Sequence, residues 1–138
     1  MGLNFYATKC LPNISVLEIF AKEYNISCFR GSENNVLERV INAGKKANAD
    51  IIVEITGDCP IIDPSIVDQT IKIFINNNVH FVSNNHIRSY PDGMDVQVFK
   101  LQTLIKSSKL SCLGIFSMFF LATKDQLLIT FIFIVTPE

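Results

Sequence analysis

The 138-residue chain has no excess of charge of either sign: 12 Lys and Arg stand against 13 Asp and Glu, spread along its length. It therefore lacks the electrostatic footprint of a nucleic-acid binder. It has no C-x-x-C pair, and Cys10, Cys28, Cys59 and Cys112 stand at irregular spacing. That excludes a zinc ribbon and a disulfide scaffold, and suits free thiols in a reducing cytoplasm. His80 and His86 have no Cys or carboxylate partner at metal-ligand spacing. No Ser/His/Asp or Cys/His arrangement points to a covalent mechanism. The N-terminus lacks the basic, apolar and small-residue regions of a signal peptide. Internal repeats and low-complexity linkers are also missing. No apolar run reaches the roughly 20 residues that span a bilayer as a helix. The longest blocks, 113–122 and 127–135, are separated by Thr123-Lys124-Asp125-Gln126. Lys124 and Asp125 would make a single span expensive, so no membrane partner is expected.

What is present is an alternation of strand and helix patterns within one domain's length. Residues 3–7 are a short apolar run suited to a strand. Leu17, Phe20, Ala21 and Tyr24 recur at i, i+3, i+4, i+7, one face of an amphipathic helix. Residues 26–30 alternate like a strand and stop at Gly31-Ser32. Asn35, with Glu38 three residues on, reads as an N-cap and its reciprocal partner, opening a helix with Leu37, Val40 and Ile41 on its apolar face. Residues 51–55 form a near-continuous β-branched run, the pattern of a strand covered on both faces. Asp63-Pro64 supplies an N-cap and a first-position proline for a helix burying Val67, Ile71, Phe74 and Ile75. Asn76-Asn77-Asn78 ends it, residues 80–83 read as a strand, and Tyr90-Pro91-Asp92-Gly93 reads as a turn. Residues 94–99 alternate again, and 101–105 open a further helix. This order predicts an α/β fold with a mostly parallel sheet and helices on both faces. The composition divides the chain into a partial domain, 1–109, and an apolar, atypical tail, 110–138.

The stretch 52–64, Ile-Val-Glu-Ile-Thr-Gly-Asp-Cys-Pro-Ile-Ile-Asp-Pro, carries the most information. A buried strand runs into a Gly-Asp turn and then a capped helix start. Open α/β sheets hold their ligands at the carboxyl ends of their strands, so Asp58 is the first residue to assign to chemistry. Taken alone, a Gly-Asp turn after a strand often does no more than reverse the chain. It has company: 29–39 (Phe-Arg-Gly-Ser-Glu-Asn-Asn-Val-Leu-Glu-Arg), Val82-Ser83-Asn84, and Tyr90-Pro91-Asp92-Gly93-Met94-Asp95-Val96. These four stretches, in this order over roughly residues 3–109, resemble the cytidylyltransferase family that activates sugar acids with CTP. The branch is that of spore coat polysaccharide biosynthesis protein F and the acylneuraminate cytidylyltransferases.

The resemblance implies a Rossmann-like nucleotide-diphospho-sugar transferase sandwich of three layers. It also implies transfer of CMP to a sugar acid for surface polysaccharide biosynthesis, with release of pyrophosphate. It assigns Asp58 to catalysis and to Mg²⁺, an oxygen ligand for a hard cation. It assigns Gly31, Ser32, Asn35, Thr56 and Gly57, with Asp58, to the nucleotide. Gly57 would let backbone approach the ligand, while Ser32 and Asn35 serve equally well as helix caps. Asn84, Arg88, Asp92 and Asp95 fall on the sugar side. Arg88 would pair with a sugar carboxylate or stand solvated in its loop, and Asp92 would bind or merely complete its turn. Relatives of this kind often form homodimers.

Two departures from the family pattern stand out. Nothing matches the family's first strand and its glycine-, arginine- and lysine-bearing phosphate loop, since Met1 falls where the second strand should start. That predicts exposed sheet edges and little or no transferase activity. After about Ser107 the family's Arg-Glu-His segment gives way to the apolar tail, whose composition is that of a shifted reading frame. Two other readings stay open: a non-catalytic fragment that binds a nucleotide or a partner, and another sugar nucleotidyltransferase or glycosyltransferase on the same fold.

Overall fold

The computed structural model describes residues 3–7, 14–32, 35–56, 59, 61–87, 89–109 and 130–135. In chain order the elements are β1 (Leu3–Ala7), α1 (Ile14–Glu23), β2 (Ser27–Cys28), α2 (Val36–Lys46), β3 (Ile51–Thr56), α3 (Pro64–Asn77), β4 (Phe81–Ser83), β5 (Val96–Lys100), α4 (Leu101–Lys109) and β6 (Thr130–Val135). The strands form one sheet in the order β2-β1-β6-β3-β5-β4.

The α/β class follows the alternating pattern, but the expected mostly parallel sheet needs correction. Strands β1 and β2 pair in parallel, whereas β6 is antiparallel to both β1 and β3, and β5 to both β3 and β4. Strands β1 to β4 still all run one way. The two strands of opposite sense separate them: β5 returns from β4 through the loop 84–95, and β6 lies between β1 and β3. The exposed edges expected beside a missing central strand do not occur there, because β1 and β3 each pair with β6 over their lengths.

Alternation along β3 divides the core between two faces. Ile52 packs with Phe99, Leu101 and Leu104 against Val40, Ile41, Ala43 and Ala47 of the α2 side. Val53 packs with Val96 and Val98 against Phe74 of α3, flanked by Ile66, Val67 and Ile71. Helices therefore cover both faces, as the continuous apolar run of β3 requires.

Helix ends follow local chemistry closely. Asp63 Oδ1 accepts from Ser65 N at 2.8 Å and Pro64 opens α3, which holds the Asp63 carboxyl below its usual pKa. Asn25, Asn48 and Asn78 adopt φ of 52°, 52° and 46° just beyond α1, α2 and α3. Asparagine tolerates this left-handed region and so does the work glycine does in many helix ends. Two core expectations shift. Tyr24 and Ile75 are 67% and 54% exposed, and the buried stripe of α3 runs through Thr70 instead of Ile75. Thr70 is accommodated there because its hydroxyl donates to Ile66 O at 2.8 Å.

Candidate functional site

The common direction of β1 to β4 brings their carboxyl ends to one edge of the sheet, where β5 and β6 begin. Ile55 stands opposite Val96, Thr56 opposite Thr130, and Ser83 opposite Gln97. This edge therefore gathers the loop after β2 (Gly31, Ser32, Asn35), the end of β3 (Thr56), the residue after β4 (Asn84), and Asp92 and Asp95 ahead of β5. At ~4.8 Å between strands, the end of β3 lies about 14 Å from that of β2 and about 10 Å from that of β4. Gly57, Asp58 and Arg88 lie outside the described residues.

The loop after β2 is held by its own polar groups. Ser32 Oγ accepts from Asn35 N at 3.1 Å, and Asn35 Oδ1 accepts from Glu38 N at 3.0 Å. The reciprocal partner of the Asn35 cap is thus Ser32, not the Glu38 side chain, which is exposed. Gly31 is required by close approach: a Cβ there would lie 2.9 Å from both Arg39 Cγ and Phe29 Cε1.

Two charged residues beneath this edge were missed in the sequence. Arg39 is 2% exposed and donates from Nη1 to Ser32 O at 2.5 Å. Glu54, on β3, is 6% exposed, and burial pushes its carboxyl up to about 7 against the opposing pull of the Arg39 charge. The signal was available. Arg39 falls in the helical stripe Val36, Val40, Ala43, and Glu54 interrupts an otherwise β-branched run, so periodicity alone marks both as buried charges needing partners.

The loop after β4 is closed by Asn84. Its Nδ2 donates to Met94 O at 2.7 Å, its Oδ1 accepts from Val96 N at 2.8 Å, and its own N–H donates to Val96 O at 3.3 Å. Ser83 Oγ donates to Asn85 Oδ1. Tyr90 OH reaches Gln69 Oε1 on α3 at 3.3 Å, and Gly93 makes its turn at φ 90°. Asp92 is exposed and Asp95 half-buried. The side chain assigned to substrate at position 84 is thus engaged in holding the loop that carries these two carboxylates. His80 lies at the opposite edge, before β4, with Nδ1 3.3 Å from Thr103 Oγ1. Cys59 is buried, and its carbonyl accepts from Ile62 N at 3.3 Å.

Among the described residues no three His, Cys, Asp or Glu side chains form a metal cluster, and no helix is long and apolar enough to cross a membrane. Among the described residues, the carboxylates at this edge are those of Asp92, exposed, and Asp95, half-buried, ahead of β5.

An open α/β sheet binds its ligands in the crevice outside the carboxyl ends of its strands. The family model for cytidylyltransferases matches residues 16–111, and the chain belongs to that family. It is 34% identical over 112 residues to an uncharacterized protein of Methanocaldococcus jannaschii, covering 74% of this chain and 45% of that one. It is 28% identical over 107 residues to the spore coat polysaccharide biosynthesis protein SpsF of Bacillus subtilis, covering 78% of this chain and 43% of that one. A cytidylyltransferase structure from Leptospira borgpetersenii superimposes with a TM-score of 0.72 at 32% identity, over 87% of this chain and 52% of that one. The chain thus spans less than half the length of these curated relatives and about half of the solved structure.

Proposed function

We propose that the chain binds CTP at this sheet edge, as part of a cytidylyltransferase that passes CMP to a sugar acid for surface polysaccharide synthesis in the cytoplasm. One observation carries the reading. In a chain of this family, the loops after β2, β3 and β4 and the carboxylates before β5 meet at one edge. Gly31, Ser32 and Asn35 border the base, and Thr56, Gly57 and Asp58 the phosphates. Arg88, Asp92 and Asp95 face the sugar, Arg88 as partner of its carboxylate. Asn84 serves the sugar side by fixing its loop. Asp58 would hold Mg²⁺, which when bound neutralises the triphosphate and polarises the α-phosphorus for in-line attack by the anomeric hydroxyl.

Calorimetric titration with CTP, UTP and GTP, with and without Mg²⁺, tests the nucleotide half. The expected result is Mg²⁺-dependent binding that favours CTP and weakens about tenfold or more in Asp58→Ala. Binding indifferent to that substitution removes Asp58 from the site, and equal affinity for the three nucleotides ends the cytidylyl reading. Pyrophosphate release with a panel of sugar acids tests the second half. Little or no release is the outcome expected of this chain alone, and robust CMP-sugar formation by it would overturn that expectation.

A further inference from the structure

Arg39 of α2 and Glu54 of β3 lie on the same side of the sheet, the side where α2 packs over Ile52. A buried guanidinium is costly unless its surroundings use it, and here its reach is specific. Its stem fills the space that Gly31 leaves, and its Nη1 holds the Ser32 carbonyl at 2.5 Å. Ser32 in turn caps Asn35 N, and Asn35 caps Glu38 N, so one side chain secures the loop from beneath while the caps secure it from its own residues. Glu54, also buried, lies on the same side of β3, where the Arg39 charge acts against the desolvation of its carboxyl. Arg39 thereby ties the loop after β2 to α2, the helix that packs over Ile52 of β3. At 2% exposure it does not reach a ligand itself.

We propose that Arg39 is a positioning residue for base recognition, holding the Gly31–Asn35 loop from inside the core at a fixed place relative to β3. Its functional consequence rests on the nucleotide reading of this edge. Cytosine presents an amino donor at C4 and an acceptor at N3, where uracil presents a carbonyl acceptor and an N–H donor, so telling them apart needs polar groups that do not move. A loop able to shift adapts to either base, and a fixed one leaves the wrong base with an unpaired group.

The test compares wild type with Arg39→Met, which keeps the apolar stem and removes the charged head, and with Arg39→Lys. Two quantities are read: amide hydrogen exchange along the chain, and the ratio of CTP to UTP affinity. In Arg39→Met, exchange should accelerate at residues 31–36 while residues 64–77 of α3 keep their protection. The CTP preference should fall about tenfold, the scale of one lost charge-assisted hydrogen bond, and Arg39→Lys should recover part of it. An unchanged ratio in a folded variant, or acceleration spread evenly over the chain, would overturn the proposal. If Arg39→Met fails to fold, Arg39→Lys, which keeps the charge but not the planar fork, supplies both readouts at smaller amplitude. If wild type binds neither nucleotide, the functional reading falls, while the exchange measurement still decides whether Arg39 holds the loop.

Discussion

Glu54→Gln separates the cost of a buried carboxylate from everything else in the chain. Burial raises the Glu54 carboxyl from 4.5 to about 7, with the Arg39 charge pulling in the other direction. Between those two values the folded chain holds the proton and the unfolded chain does not. Folded protein then carries more bound protons, so its stability falls as pH rises through this window. The Glu54 contribution is therefore complete below about pH 4.5 and gone above about pH 7. At ~1.4 kcal/mol per pH unit, the window amounts to ~3 kcal/mol, a large part of a typical domain's stability. Glutamine has nearly the same shape and does not ionise. Urea unfolding of both proteins at half-unit intervals from pH 4 to 8 isolates the effect, because every other titrating group cancels in the difference. Wild type should lose ~3 kcal/mol relative to Glu54→Gln across the window. Parallel curves would refute the burial argument. A difference of opposite slope would show that attraction to Arg39 outweighs desolvation.

Two further outcomes follow from packing and hydrogen bonding. Asn84→Ala removes a donor to Met94 O and an acceptor for Val96 N. It should cost ~2 kcal/mol in urea unfolding, about 1 kcal/mol per bond, and speed exchange of the Val96 amide; a fully protected Val96 would show that the loop closes without this side chain. Gly44→Val would place a Cβ 2.8 Å from Ile52 Cδ1 and 3.1 Å from Leu101 Cδ1. That overpacking should cost about 1–3 kcal/mol, and an unchanged unfolding midpoint would mean that α2 does not press on the sheet at this point.

The elements were largely legible because their signals are local. Val36 to Lys46 carries a 3.6-residue apolar stripe behind a capping asparagine, and Ile51 to Thr56 carries β-branched residues before a glycine. Such signals depend on neighbours within one turn or one strand. The ends were equally local: Asp63-Pro64 starts α3, and Asn78 stops it in the left-handed conformation. Strand direction was not legible. The alternation of residues 94–99 reads the same in a parallel and an antiparallel partner, and only the return loop from β4 makes β5 antiparallel.

The same division runs through the site. Strand ends followed by Gly-Ser, Gly-Asp and Asn loops were enough to predict that β2, β3 and β4 end at one edge, because the α/β pattern carries its own polarity. What each side chain does there was decided at a distance in sequence. Asn84, expected near the ligand, holds Met94 and Val96 from ten and twelve residues away. Periodicity marks Arg39 as buried, but only the fold shows that its Nη1 holds the Ser32 carbonyl and its stem fills the space beside Gly31. The sequence by itself thus determined most of the helices, strands and turns up to Lys109, since those choices rest on short-range sterics and capping, while strand β6 went unread in the apolar tail. Tertiary structure alone decided strand polarity, the place of β6 between β1 and β3, and the partner of each polar group, since those depend on which distant segments exclude water together.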